Sequence, residues 1–377
     1  MIPFHKPAIG PREIAAAVEV LESGWLTTGP KAVAFEEAFA KRIGVKHALA
    51  VNSATAALHL ALEGFGLRRD FTLSSAYEVT IPTLTFAACG AVVSHLGARP
   101  DLVDVGEDGL LGAEQLERHL VHGTTTPRII MPVHFAGQQA DVDGLRSVAP
   151  HARIIEDAAH AMPSPLKGDA AAYSFYATKT LTTGEGGMLV TDDDVLANRV
   201  SMMRHHGLSD DAWKRYGPGA SWRYEVLEAG YKVNMPDLAA AIGLVQLDRA
   251  DELRMKRTRI SAHYDAALSE IEGIRLPPVQ DAWHLYVIRV DPAMRDTVIE
   301  RLQAVGIGTS VHFIPLHLQP YYQRRYGYWR GQFPVAERIF AESISLPIWP
   351  DMTMSQVEQV CAAVVTALRP KRQRAIA

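Results

Sequence analysis

Short runs of consecutive apolar residues alternate with helix-forming stretches through most of the chain. The strand-like runs cover residues 47–51, 77–81, 101–105, 128–133, 152–156, 171–175 and 187–191, and residues 54–62 have helix-forming composition. Runs that are apolar on successive residues suit strands covered on both faces, the situation of a parallel sheet. The pattern therefore predicts an α/β fold whose mostly parallel sheet is covered by helices.

Near Pro236 the pattern changes. Residues 237–247 are apolar on most faces, and residues 251–268 form an amphipathic stretch with many Arg and Lys. A buried helix followed by a solvated one marks a chain leaving a large domain across its surface. The expected division is a large domain over residues 1–250 and a smaller α+β C-terminal domain over residues 251–377. The smaller unit reads as a strand (284–290), a helix (294–305), an aromatic loop (311–329) and a terminal helix (355–368), with a basic, frayed tail at 369–374. There is no internal repeat or low-complexity tract. The longest apolar candidate, residues 238–247, is short and flanked by Asp237 and Asp248, so no membrane span is predicted.

Composition narrows the classes. With 48% hydrophobic and 21% charged residues the chain is globular, and a formal charge of −4 offers no basic stripe for nucleic acid. Cys89 and Cys361 cannot form a disulfide framework and lack zinc-ligand spacing, so no metal is assigned. The opening MIPFHKPAIGPREI has no signal-peptide core. A cytoplasmic location is expected.

Three segments carry candidate chemistry. In ARIIEDAAHA (152–161) a buried strand ends in Glu156 and Asp157, where open α/β sheets hold ligands; an Asp helix cap would explain the same letters. In AAYSFYATKTLTTGEGGMLVT (171–191) Lys179 follows a strand end and precedes Gly184, Gly186 and Gly187; shielded there it becomes an amine nucleophile, whereas a solvated loop lysine is the plain alternative. In HALAVNSATAALHLAL (47–62) a strand passes through Asn52 and Ser53 into a small-residue helix start that can bind an anion or simply be capped. Together, an anion cradle, a carboxylate and an amine are what pyridoxal phosphate requires.

Over nearly its whole length the chain resembles the DegT-type, vitamin-B6-dependent sugar aminotransferases. The resemblance rests on GWLTTGP (24–30), VNSATAALHLAL (51–62), PTLTF (82–86), PVHFAGQQADVD (132–143), IEDAAHA (155–161), SFYATKTLTTGEGG (174–187), GYKVNMPDLAAAIGLVQL (230–247) and HFIPLHLQPYY (312–322). It implies a fold-type-I, pyridoxal-phosphate-dependent transferase. Lys179 becomes the Schiff-base lysine and Asp157 the partner of the pyridine nitrogen. Ser174, Thr55 and the backbone at Ala54 hold the phosphate, Phe86 stacks on the ring, and His160 lies near the cofactor oxygen or the substrate. In the family a GYNYRM-like segment reaches the phosphate of the neighbouring subunit. Here Lys232 occupies the usual Asn position, with Asn234 two residues on, which implies a homodimer with a shared active site.

Two departures border the expected site: the segment between Ala161 and Ala171 is short, and residues 67–78 lack the usual glycine-proline-glycine-acid turn. Lysine at 179 disfavours the dehydratase relatives, which carry histidine there. IEDAAHA, EVLEAGYKVN, AWHLYVIRV and GIGTSVHF resemble enzymes that aminate the 4-keto position of nucleotide-linked sugars, including UDP-4-amino-4-deoxy-L-arabinose aminotransferases. His312 and His317, with Phe313, Tyr321 and Tyr322, are the candidates to close over the sugar; a small-domain core with a few wet histidines is the alternative. The expected activity is ping-pong transfer of an amino group from L-glutamate to a nucleotide-linked keto sugar. A catalytically silent cofactor-binding regulator and a transaminase of a cyclic keto-polyol or small keto acid are the rival readings.

Overall fold

The computed structural model describes residues 1–67, 77–122, 127–209, 223–280 and 282–369. Most of the departing segment at 67–78, and the basic tail from residue 370, lie outside them. Two helices come first, α1 (Pro11–Ser23) and α2 (Pro30–Ile43). Each opens on proline, whose fixed φ suits the first turn, and closes on a left-handed glycine, Gly24 or Gly44.

The large sheet has seven strands: β1 (His47–Val51), β2 (Glu78–Pro82), β3 (Arg99–Val103), β4 (Ile129–Ile130), β5 (Arg153–Asp157), β6 (Ala170–Ser174) and β7 (Gly187–Thr191), in the order β1-β7-β6-β5-β4-β2-β3. Pairing is parallel from β6 to β3, while β7 runs antiparallel to both β6 and β1. All five residues of β7 are buried. Continuous apolarity reports two covered faces and carries no direction, so the sequence pattern could not reveal the reversed strand.

Side chains alternate between two cores, as the pleat requires. Leu49, Val51, Ala170, Ala172 and Leu189 meet α3 (Ala54–Gly64), α4 (Ala87–His95) and α7 (Asp194–Met203) on one face. Ala48, Ala50, Ala171, Tyr173, Met188 and Val190 meet α2 and α8 (Asp237–Asp248) on the other. Farther along the sheet, α5 (Ala113–His122) and α6 (Val142–Val148) cover Val103, Ile130 and Ile154.

After α9 (Ala250–Leu268), a three-stranded antiparallel sheet pairs β8 (Ile274–Arg275), β9 (Tyr286–Val290) and β10 (Ser343–Leu346) in the order β10-β9-β8. Its core packs against α9, α10 (Arg295–Ala304) and α13 (Met354–Leu368). Ile2 joins this core: its amide donates to Gly306 O and its carbonyl accepts from Gly308 N, both at 2.8 Å. Residues 311–329 are less irregular than expected, because Pro320 opens α11 (Pro320–Tyr326), which α12 (Pro334–Glu342) follows. Leu316, Tyr322, Tyr328 and Phe333 pack back into the core of the large sheet. Among the described residues no helix is long and apolar enough to cross a membrane.

Candidate active site

The C-terminal ends of β5 and β6 and the start of α3 border a cavity of about 370 Å³. Helix α3 begins where Ser53, in extended conformation, accepts the Ala56 amide on its Oγ at 3.1 Å. The first-turn residues Ala54 and Thr55 line the cavity, and free amides at a helix start attract anions. β7 presses directly on this turn: a Cβ at Gly187 would lie 2.5 Å from the Ala54 amide nitrogen and 2.4 Å from the Ser53 carbonyl carbon. Ser174, at the end of β6, also lines the cavity, and its Oγ accepts the Tyr176 amide at 3.3 Å.

Strand β5 ends in two carboxylates with different tasks. Asp157 faces the cavity, where Oδ1 accepts the Ala159 amide at 3.0 Å and Oδ2 accepts the Cys89 thiol at 2.9 Å. Burial and the adjacent carboxylate push the Cys89 thiol well up from its ordinary value, so it remains a protonated donor. Thr85 Oγ1 lies 3.2 Å from the same sulfur. Glu156 instead accepts the Lys167 and Gly168 amides on Oε1 and meets His134 Nε2 at 2.8 Å on Oε2. Its carboxylate thus organises the short segment between Ala161 and Ala171. Burial would raise the Glu156 carboxyl, but these hydrogen bonds outweigh it and hold the group below its usual range.

Lys179 reaches the cavity from a turn in which its amide donates to Tyr176 O at 2.9 Å. Burial of the amine lowers its pKa from 10.5 to about 8, against an opposing pull from Asp157. No other Lys or Arg among the described residues lines the cavity.

A wall of four imidazoles, His5, His160, His284 and His312, lines the same cavity. The His160 and His284 rings lie 4.3 Å apart between centroids, and His160 lies 5.6 Å from Phe313. His160 Nδ1 accepts the Ala136 amide at 3.2 Å, which leaves Nε2 to carry the proton of the neutral ring. His312 Nδ1 lies 2.8 Å from Ser345 Oγ. Burial, and then the nearby Lys179 charge, lower His160 well below 6.5 and His312 to about 4. Burial brings His5 to about 4 as well and takes His284 well below 6.5. Among the described residues, His5 Nε2 and His284 Nδ1 are buried with no hydrogen-bond partner.

Of the residues singled out from sequence, Ala54, Thr55, Phe86, Asp157, His160, Ser174, Lys179 and His312 share this cavity. Phe86, the N-cap of α4, is 60% exposed at its mouth and lies 5.8 Å from Phe313. Lys232 and Asn234 do not line it; both belong to a segment bridged to β1 through Val51 and Asn234, and Lys232 Nζ donates to Asn234 Oδ1.

His317 requires correction as a sugar ligand. It is 0% exposed and absent from the cavity wall, with Nδ1 2.7 Å from Thr83 Oγ1 and Nε2 2.9 Å from Glu337 Oε1. Both ring nitrogens are engaged in joining the end of β2 to α12. Sequence reasoning missed His5, His284 and Cys89. The histidines reach the cavity from opposite ends of the chain, and a lone cysteine inside an apolar helix gives no sign of the carboxylate it meets.

Comparison with known proteins gives a consistent picture. The profile of the DegT/DnrJ/EryC1/StrS aminotransferase family matches residues 7–365. The chain is 43% identical to the spore coat polysaccharide biosynthesis protein SpsC of Bacillus subtilis (strain 168), over 96% of each chain. The PMP-form of the putative sugar aminotransferase Spr1654 from Streptococcus pneumoniae superposes with a TM-score of 0.88 at 30% identity, covering 97% of this chain and 99% of that one. Helicobacter pylori PseC, an aminotransferase involved in the biosynthesis of pseudoaminic acid, gives 0.88 at 26% identity, with 97% and 98% covered.

Proposed function

Since the chain belongs to the DegT/DnrJ/EryC1/StrS aminotransferase family, whose members are pyridoxal-phosphate-dependent sugar aminotransferases, we propose that it moves an amino group from L-glutamate to the 4-keto position of a nucleotide-linked sugar. The observation that carries this reading is the meeting of Lys179, Asp157 and the α3 start in one cavity. These residues fit the cofactor: the amides at Ala54 and Thr55, with Ser174, suit a phosphate, Asp157 a ring nitrogen, Phe86 a ring face, and the Lys179 amine an aldehyde.

When bound, pyridoxal phosphate supplies an electrophilic carbon and a ring that accepts the electron pair released when a substrate C–H bond breaks. Lys179 Nζ moves the proton away from the carbon that carries the amino group and returns it in the second half of the cycle. A pKa of about 8 leaves a useful fraction of free amine near neutrality. The neutral imidazoles of His160 and His312 suit sugar hydroxyls, which require donors and acceptors without net charge.

A homodimer with a shared site is part of the proposal. Ile14, Val18 and Leu21 stand exposed at helical spacing on α1, beside exposed Ile9, Leu26 and Val33, and this apolar face suits a second copy of the chain. Lys232 and Asn234 would then act on the partner's phosphate. The free thiols of Cys89 and Cys361 fit the reducing cytoplasm. The test loads the enzyme with its cofactor, treats it with L-glutamate, and offers the aminated form a panel of nucleotide-linked keto sugars. A product one amino group richer, with the nitrogen on the former 4-keto carbon, supports the proposal. Conversion of simple keto acids alone would overturn it.

A further inference from the structure

Helix α4 has a second task besides presenting Phe86. One turn inside it, Cys89 is wholly buried and aims its thiol at Asp157 Oδ2, while Thr85 Oγ1 stands 3.2 Å behind the sulfur. With the Ala159 amide on Oδ1, each carboxylate oxygen of Asp157 has one fixed donor. The orientation of the carboxylate in the cavity is therefore set from two sides.

We propose that Cys89 is a positioning residue: its S–H···Oδ2 bond holds the Asp157 carboxylate against the ring nitrogen of the cofactor, while Phe86 on the same helical turn covers the ring face. The cofactor's face and nitrogen are then set by one rigid element, and any shift of α4 disturbs both. This inference rests on the cofactor's seating and not on the choice of sugar, so a failed sugar assignment leaves it standing.

The test compares wild type, Cys89→Ala, Cys89→Ser, Asp157→Asn and Cys89→Ala combined with Asp157→Asn. Cofactor affinity is read by fluorescence titration of the apo proteins, and ring-nitrogen protonation from the resonance of 15N-labelled pyridoxal phosphate. Cys89→Ala should weaken cofactor binding about tenfold, the order expected for one buried hydrogen bond to a charged group, and move the resonance toward the unprotonated position. Serine should restore both. In the Asp157→Asn background Cys89→Ala should change affinity by less than about twofold, the signature of a residue acting through its neighbour. Where alanine prevents folding of the apo protein, Cys89→Val and Cys89→Thr give the same contrast at matched shape. An alanine or valine variant with wild-type affinity and resonance would overturn the proposal, as would a loss that persists in the Asp157→Asn background.

Discussion

Two sets of side chains in the cavity are built by opposite physical means. The set proposed for the cofactor is charged and comes from one stretch of the large sheet: Asp157 ends β5, Lys179 lies in the turn after β6, and α3 starts just after β1. The imidazole set is uncharged; His160 follows Asp157 by three residues, while His5, His284 and His312 come from distant parts of the chain, His312 supported by the smaller sheet through Ser345. On the proposed assignment, charged groups beside neutral imidazoles separate bond-making from recognition.

The contrast breaks first at Lys179. Replacement by Ala or Arg should reduce turnover by about 10⁴-fold or more and remove the absorbance of the lysine-linked cofactor. Retained turnover in the Lys179 variants would end the assignment. The second prediction concerns pH. An amine with a pKa of about 8 is neutral above that value and protonated below it. Cofactor capture by the apo protein should therefore slow by about tenfold per unit as pH falls below 8. His5 and His312, at about 4, add no ionisation in that window. A second inflection near pH 6.5 that persists when pyridoxal, which lacks the phosphate ionising at about pH 6, replaces the cofactor in the stopped-flow profile would show that the wall titrates after all.

A sharper division comes from His284→Phe, which keeps an aromatic body and removes both ring nitrogens. It should slow the sugar half-reaction about tenfold and leave the amino-donor half-reaction within about twofold in single-turnover kinetics. Equal losses in both would mean that the wall only supports packing. The smallest effect on catalysis is expected from His317→Leu. It strands Thr83 and Glu337 and should cost about 2–3 kcal/mol in denaturant unfolding, with kcat/KM per folded molecule unchanged.

How much of this could be read from sequence follows the same division. Strands β1 and β7 and helix α8 lie in contiguous segments whose period and end residues mark them, whereas the Lys179, Asp157 and α3 segments were each ambiguous alone and pointed to a site only in combination. The reversed direction of β7 was hidden because a strand buried on both faces looks alike either way. His317 misled because a histidine among aromatics has the same letters whether it faces a substrate or closes a core. His284 was passed over for the reverse reason: it reads as the start of a strand, and only the fold brings it to His160.

Strand β5 sets one last requirement. Its final two acids point to opposite faces of a pleat, Glu156 tying down the segment behind the sheet and Asp157 serving the chamber in front. A slip of one residue would put Glu156 or Ala158 where Asp157 stands and turn Asp157 away from the chamber. Catalytic competence therefore depends on register as much as on residue identity, and a single-residue insertion within β5 should be more damaging than many substitutions around it.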